Sequence, residues 1–259
     1  LAACAVGDRA YVLIKPNCEA DMLLARALVA EPKDEADWDI TTIDTGFEQI
    51  SPRCASLAYV NGKLRLAYGH STNNPAYAVC QSLAPAGPHD WQVTILDDPE
   101  LNFSIRPMIA EHEGALLMLY GASDEEGRDY VRLARARSPE PETAGDWTIS
   151  TPVEGLESGS FAAAFTHSSC AIVASNKCQS GKWEMLALRP AAPGLESLSQ
   201  PWVAQRIYPD LIVDYPSTHE MLISAGSIIC FFSDNGSGTW PDVWSYKCAT
   251  ADVTPLYTP

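Results

Sequence analysis

Residues 38–41 read Trp38-Asp39-Ile40-Thr41, and segments of the same kind return at nearly regular intervals along the chain. The later copies are Trp91-Gln92-Val93-Thr94, Trp147-Thr148-Ile149-Ser150 and Trp202-Val203-Ala204-Gln205. Their tryptophans follow one another after 53, 56 and 55 residues. A fifth, degenerate copy is Ala251-Asp252-Val253-Thr254, in which alanine takes the tryptophan position. A fixed period of this length indicates a repeat architecture.

Two apolar segments joined by a short turn precede each of these copies. The clearest turn is Asn61-Gly62, which lies between Ser56–Val60 and Leu64–Tyr68. Asn-Gly is a strong signal for a β-hairpin, because both central residues of a type I′ turn need a positive φ. The other copies carry Gly7-Asp8, Glu113-Gly114, Ser168-Ser169 and Ala225-Gly226. A third segment of strand type follows in every copy, so each repeat is predicted to contain four antiparallel strands.

We therefore predict an all-β fold, a five-bladed β-propeller made of four-stranded antiparallel blades. The first two strands of each repeat are apolar at nearly every position, so their sheet needs a cover on both faces. Neighbouring sheets can supply this cover when they stack in a ring. The predicted domain spans residues 1–259, with repeats at about 1–50, 51–103, 104–157, 158–214 and 215–259. A β-sandwich or an open solenoid is the alternative, although the regular period argues against a sandwich.

The charge of the chain restricts its partners. The sequence has 33 acidic and 17 basic residues among 259, which gives a formal net charge of −16. Such a surface repels phosphate backbones and anionic membranes, so we do not expect a nucleic acid partner. The sequence also has no apolar run of the ~20 residues that a membrane-spanning helix needs.

Cysteines and glycosylation sequons indicate a secreted protein. None of the eight cysteines forms the Cys-x-x-Cys pattern of a zinc site, so we expect no structural metal. Cys230 and Cys248 are predicted to lie nearly opposite each other in a hairpin, where a disulfide could join them. Sequons at Asn102 and Asn235 fall in predicted loops and are candidate glycosylation sites. The even number of cysteines and the acidic composition agree with an extracellular location.

The segment Ser233-Asp234-Asn235-Gly236-Ser237-Gly238-Thr239-Trp240 resembles the Asp-box of sialidase-like propellers. Ser233, Thr239 and Trp240 match that motif, whereas Asn235 replaces its aspartate and Ser237 its glycine. The resemblance implies a turn between the second and third strands of a blade. In those families the box is a folding element remote from the active site, so the resemblance concerns the fold and not catalysis.

The layout of the repeats is similar to that of propeller lectins, including the fungal fucose-binding and tachylectin types. The fucose-binding type implies an arginine on the second strand and a glutamate on the third strand of most blades. Arg65 fits that position, whereas the other repeats lack the arginine. Aromatic residues outside the tryptophan period, Trp183, Trp240 and Trp244, are further candidates for contacts with a sugar. Packing between blades is the alternative role for Trp183 and Trp244.

The predicted starts of the first strands gather polar side chains at the mouth of the central channel. These residues are Arg53, Arg106, Ser160, His219 and Glu220. Converging arginine, histidine and glutamate could bind a carboxylate or transfer protons. Five-bladed glycosidases that cut arabinan or xylan use three carboxylates there, whereas here only Glu220 falls at such a position. Asp214 and Glu100 lie just upstream, in predicted loops. A third channel arginine, which sialidase chemistry needs, is missing.

On this balance the sequence favours a non-catalytic, lectin-like carbohydrate-binding protein. We expect a glycan or another small polar molecule as its ligand, and no cofactor. Two alternatives stay open at this stage. One is a glycan-processing enzyme, such as a glycoside hydrolase, with a site at the channel mouth. The other is a scaffold for protein interactions.

Overall fold

Short antiparallel strands make up nearly all of the regular structure. The computed structural model describes residues 2–14, 21–44, 55–70, 74–96, 102–126, 128–156, 161–165, 170–177, 183–192, 194–206, 216–224, 227–234 and 242–249. Within these ranges the strands form five sheets, each built from strands that are consecutive in the sequence. The predicted all-β fold of four-stranded antiparallel sheets is therefore confirmed.

The strands follow the predicted repeats closely. The first sheet contains β1 (Ala2–Val6), β2 (Arg9–Ile14), β3 (Met22–Ala27) and β4 (Trp38–Asp44). The second contains β5 (Ala55–Val60), β6 (Lys63–Gly69), β7 (Pro75–Cys80) and β8 (Trp91–Ile95). The third contains β9 (Asn102–His112), β10 (Ala115–Ser123), β11 (Asp129–Ala136) and β12 (Trp147–Leu156). The fourth contains β13 (Phe161–Phe165), β14 (Cys170–Lys177), β15 (Trp183–Arg189) and β16 (Val203–Arg206).

The fifth sheet has three strands in the part of the chain that the structure describes. These are β17 (Pro216–Ser224), β18 (Ser227–Asp234) and β19 (Asp242–Ala249). The predicted fourth strand at Ala251–Thr254 lies outside the described residues. Five blades in a closed ring therefore stay a prediction.

The tight turns between first and second strands have the predicted backbone. Asn61 and Gly62 both have a positive φ, 52° and 79°, and the register passes directly from Val60 to Lys63. Glu113 and Gly114 repeat this arrangement with φ values of 49° and 77°. This conformation fits the right-handed twist of the flanking strands. The two-residue turn at Asn61-Gly62 therefore sets the register between β5 and β6.

Two first strands are longer than predicted. The apolar runs of the sequence predict these strands at Met108–Ala110 and Met221–Ile223, whereas β9 and β17 begin six and five residues earlier. Prolines obscured these beginnings. Pro107 lies inside β9, which is at the edge of its sheet, and within sheets proline is found mainly in edge strands. Pro216 is the first residue of β17, which is another position that accepts proline.

An aspartate positions the tryptophan that begins an outer strand. One-turn 3-10 segments end at Asp37, Asp90 and Asp146, directly before β4, β8 and β12. In each case the aspartate carboxylate accepts the backbone N–H of the residue four positions earlier, at 2.6–3.0 Å. Trp91 and Trp147, which follow, are buried. The fourth tryptophan, Trp202, is instead preceded by a short helix, α1 (Leu195–Leu198).

The chain separates into two compact units, and the division passes through the third sheet. The first unit comprises residues 1–111, 115–120 and 134–148, and the second comprises the remainder. In the first unit, β1 packs against β5, and Tyr11 donates a hydrogen bond to the Leu83 carbonyl at 2.9 Å. In the second unit, β13 packs against β17. Each packing joins the first strands of consecutive sheets. The single domain over residues 1–259 stays a prediction.

The core of the first unit consists of side chains from the first two sheets. Its buried members include Leu13, Leu24, Leu57, Leu66 and Tyr68. Every residue of β7 is buried, which agrees with a sheet covered on both faces. No helix among the described residues has the length and apolar character needed to cross a bilayer.

Replacement of Gly62 by alanine tests the turn. The added Cβ would meet no atom within 4 Å, so the cost comes from the positive φ alone. We expect Gly62→Ala to lower the free energy of unfolding by about 1–2 kcal/mol. Gly145→Ala is the control, because Gly145 has no positive φ and its Cβ would make only an ordinary contact. Urea unfolding should show a loss in the first variant only, and equal stability of the two variants would contradict the turn assignment.

Candidate functional site

Candidate residues collect at one end of the sheets. In an antiparallel four-stranded sheet, the first strand begins at the same end at which the second strand ends and the third begins. His219 and Glu220 are the fourth and fifth of the nine residues of β17, while Trp183 is the first residue of β15 and Trp244 the third of β19. Arg106 lies within β9. The other predicted site residues, Arg53, Ser160, Trp240 and Asn235, lie outside the described residues.

A β-bulge occurs at His219. Thr218 pairs with Phe232, and the next pair along the ladder joins Glu220 to Phe231. His219 is therefore an extra residue without a partner position on β18. A bulge bends its strand and redirects side chains, and bulges are frequent beside active sites. Nothing in the sequence marks this irregularity, because no glycine or proline stands at residues 218–220.

The bulge is next to an aromatic position on β19. Thr218, Phe232 and Trp244 occupy one row across the three strands. The following row contains Glu220, Phe231 and Ser245. The fifth sheet thus places a histidine, a glutamate and a tryptophan at neighbouring register positions. These three were predicted separately, Trp244 as a sugar contact and the other two as channel residues.

Arg65 does not occupy the exposed position that a sugar contact requires. Its side chain has no exposed surface, and all three guanidinium nitrogens donate within the protein. Nε reaches the Val60 carbonyl at 3.2 Å, Nη1 bonds to the Tyr77 hydroxyl, and Nη2 is 2.8 Å from Glu140 Oε1. Glu140 lies on the segment between β11 and β12. Arg65 therefore connects the second sheet to the third, which corrects its assignment as a ligand contact.

The surroundings of Arg65 form a small polar network inside apolar packing. Burial raises the pKa of Tyr77 to about 12, although the Arg65 charge opposes this rise. The Tyr77 ring also packs edge-on against Trp147, with centroids 5.2 Å apart. Partial burial raises the pKa of Glu140, but the hydrogen bond from Lys63 and the Arg65 charge outweigh it, so the net pKa is below its usual value. The network holds a tyrosine neutral and a glutamate ionised at neutral pH.

The turn between β10 and β11 also holds its charges internally. Partial desolvation raises the pKa of Asp124, but hydrogen bonds from Tyr130 and Arg128 are stronger in sum and lower it to about 2. The Tyr130 hydroxyl and Arg128 Nε each donate to Asp124 Oδ2 at 2.7 Å. Among the residues that the structure describes, no group of three or more histidines, cysteines and carboxylates is arranged to hold a metal ion.

The register of the fifth sheet corrects the predicted position of Cys230 and Cys248. Cys230 pairs with Tyr246, and Cys248 pairs with Ile228, so the two cysteines are diagonal neighbours. Diagonal Cα atoms lie about 7–8 Å apart, beyond the usual range for a disulfide. Cys4 and Cys80 are free thiols. The sequence placed the sequon residue Asn102 in a loop. In the structure Asn102 is instead the first residue of β9.

Comparison with known proteins gives matches in structure only. No family model matches the chain, and no curated protein has a significantly similar sequence. An α-L-arabinofuranosidase from Lactobacillus brevis has a similar fold, with a TM-score of 0.58 and 12% identity over 99% of this chain and 92% of that chain. An endo-arabinase from Bacteroides thetaiotaomicron gives a TM-score of 0.56 and 13% identity over 99% and 93% of the two chains. An exo-β-1,3-galactanase from Phanerochaete chrysosporium gives a TM-score of 0.60 and 11% identity, over 99% of this chain and 62% of that chain.

These similarities contradict the prediction of a non-catalytic lectin. The three solved structures named above are enzymes that act on glycans and not lectins. They agree with the predicted propeller-like arrangement of four-stranded antiparallel sheets. The lectin prediction depended on the layout of the repeats and on the aromatic residues outside the tryptophan period, and neither feature distinguishes a binding protein from an enzyme. The single lectin-like arginine, Arg65, is buried and serves packing.

Peptide mapping tests the register of the fifth sheet. We expect no linked peptide that joins Cys230 to Cys248 in the non-reduced protein, because the diagonal separation is too long for a disulfide. A sample reduced and alkylated before digestion is the control, since it shows whether both peptides are detected. A Cys230–Cys248 link would contradict the observed pairing of Cys230 with Tyr246.

Acid titration tests the connection between Arg65 and Glu140. Because the folded-state pKa of Glu140 is lowered, its contribution is full above the usual glutamate value of about 4.3 and is lost as the pH falls. We expect Glu140→Gln to cost about 1 kcal/mol near pH 7, a modest figure because water screens the half-exposed carboxylate. In thermal unfolding followed by circular dichroism, the difference from the wild type should shrink as acid protonates the Glu140 carboxylate. Glu154→Gln, at an exposed residue of β12, should have no such effect, and a difference that is independent of pH would exclude the ion pair as its cause.

Proposed function

We propose that the protein is a glycan-processing enzyme, a glycoside hydrolase, in which the reacting groups stand near the beginning of β17. The observation that carries the proposal is the bulge at His219, next to Glu220. The strand that contains it is the first of its sheet, which is the position at which propellers bring side chains towards their axis. The fold similarity to glycoside hydrolases supports the same reading.

Glu220 is the residue that we assign to proton transfer. Hydrolysis of a glycosidic bond needs a carboxylic acid that protonates the leaving oxygen, and a second carboxylate that activates water or attacks the sugar. Asp214, just upstream of β17 and outside the described residues, is our candidate for the second carboxylate. Both belong to the same unit of the chain.

The known enzymes of this fold suggest the first substrates to test. The three with similar structures are named for arabinofuranosides, arabinan and β-1,3-galactan. We extend only the general class, a glycan, to this chain. A secreted location is part of the proposal, and it is supported by the acidic composition and the two sequons, Asn102 and Asn235.

Neutralisation of Glu220 tests the proposal. The wild-type protein should release reducing ends or aryl groups from at least one member of a panel of arabinosides, galactosides, xylosides and the corresponding polysaccharides. Glu220→Gln should lower that rate by about 10²- to 10⁴-fold, because the amide cannot transfer a proton.

Glu111→Gln provides a matched control. Glu111 is an exposed carboxylate near the opposite end of another first strand, β9. This variant should keep the wild-type rate. The proposal fails if the wild type hydrolyses nothing on the panel, or if Glu220→Gln retains full activity while circular dichroism shows both variants to be folded.

A further inference from the structure

We infer that the free edge of β8 binds an extended, basic segment of another protein, which adds to the second sheet as a further strand. Two aliphatic side chains of β8 are open to solvent, Val93 with 40% of its surface exposed and Ile95 with 36%. Both residues belong to the first unit of the chain. β8 is the last strand of its sheet, so only one of its two edges is paired, with β7.

The register between β7 and β8 shows which backbone groups point away from the sheet. The Leu96 N–H donates to the Pro75 carbonyl at 2.9 Å, so this row of the ladder is hydrogen-bonded. Hydrogen-bonded and non-bonded rows alternate in an antiparallel pair, so the N–H and C=O groups of Val93 and Ile95 point outward. Within the described part of the chain no backbone group bonds to them. The outward backbone groups and the exposed aliphatic side chains thus belong to the same two residues.

The other outer strands have features that hinder pairing at their edges. β4 contains Asp39, and its register with β3 shifts beside Met22. β12 contains Pro152 and the exposed Glu154, and β16 has only four residues. Charges, prolines, bulges and short length are the usual protection of an edge strand. β8 reads Trp-Gln-Val-Thr-Ile with an unbroken register, so it has no charge, no proline and no bulge.

The two faces of β8 determine which side chains an added strand needs. Side chains alternate along a strand, so Val93 and Ile95 share the face of Trp91, and the added strand meets apolar groups there. On the other face, the Thr94 hydroxyl donates to the Glu142 carbonyl at 3.0 Å, which places the exposed Glu142 beside this face. A segment that alternates β-branched and basic residues fits both faces. In strand addition, backbone hydrogen bonds supply affinity and the alternate side chains supply specificity.

Charge favours a basic segment over a second copy of this chain as the occupant. Two copies that each carry a net charge of −16 repel one another, whereas a basic segment is attracted. The nearby cations Lys63 and Arg65 do not reverse this preference, because both are bonded to Glu140. The partner is therefore complementary to the whole chain in charge and to β8 in its alternation.

Peptide binding to the full chain tests the inference. The probe is a fluorescently labelled peptide, Lys-Val-Lys-Val-Lys-Val-Lys, and its affinity is measured by fluorescence anisotropy. In an antiparallel pair, the probe residues opposite Val93 and Ile95 direct their own N–H groups to β8. N-methylation of the valines should therefore lower the affinity by at least about 10-fold, whereas N-methylation of the lysines should leave it unchanged. Added salt should weaken binding, because it screens the attraction between opposite charges.

Variants of the protein test the edge itself. Val93→Lys places a positive charge on the apolar face, and the affinity for the basic probe should fall by at least about 10-fold. Val93→Thr keeps an uncharged β-branched residue and should bind like the wild type. Ile40→Lys is the matched control, because Ile40 is an exposed aliphatic residue of the protected strand β4. Thermal unfolding identifies any variant that has lost its fold, and Ile95→Lys decides if Val93→Lys is unfolded.

Several outcomes would overturn the inference. Equal affinities of the two N-methylated peptides would show that the probe is held by charge alone and not by strand pairing. Wild-type affinity in a folded Val93→Lys variant would show that binding occurs elsewhere, and absence of binding by the unmethylated probe would exclude the site. Sedimentation of the chain without peptide tests the other occupant. A dimer that Val93→Lys dissociates would identify a second copy as the partner of β8 and exclude the basic segment.

Discussion

The structure depends on the need to cover both faces of each sheet. In β6 and β7, every residue after Lys63 is buried, in contrast to the alternation expected of a sheet with one face in water. A four-stranded unit of this kind cannot be stable alone, because one apolar face would be exposed. The packing of β1 on β5 in the first unit and of β13 on β17 in the second answers this need. Stability of this kind is shared between neighbours and does not belong to any single repeat.

Arg65 shows that polar residues can also serve this packing. Its guanidinium lies in an apolar layer, where an unpaired charge would be costly. Tyr77, the Pro139 carbonyl and Glu140 supply the partners, and the last two belong to the segment that leads to β12. Removal of one partner leaves the other buried group unpaired, which destabilises the fold more than replacement of both partners by apolar residues would. The network therefore makes the pairing of these two sheets specific.

The sequence predicted the features that short-range chemistry determines. The turn at Asn61-Gly62, the strand bounds around it and the outer strands that begin at tryptophan all depend on residues close together in the chain. The role of Arg65 could not be read in this way, because its partner Glu140 is 75 positions away. The prediction that Cys230 and Cys248 lie opposite each other was wrong for a similar reason. The connection between β18 and β19 spans residues 235–241, and a turn of that length does not fix which residues face each other.

The site was predictable in part. Glu220 and Trp244 stood out by residue type, but the bulge that brings His219 between their rows has no signal in the sequence. The function was misjudged because fold and repeat pattern do not determine activity. A tryptophan period describes how a blade is built, and both binding proteins and enzymes use that construction. Chemistry has to be argued from particular residues at one end of the sheets.

The two ends of the sheets differ in how readily evolution or protein engineering can alter them. The two-residue turn at Asn61-Gly62 fixes the pairing of β5 with β6, and one inserted residue there would shift a whole strand out of register. Connections at the opposite end are longer, as between β16 and β17 or between β18 and β19, so added residues need not disturb any ladder. New segments, or even an inserted domain, could be accepted there while the framework stays unchanged. Directed evolution of a new binding site would therefore do best to randomise these connections and to keep the short turns constant.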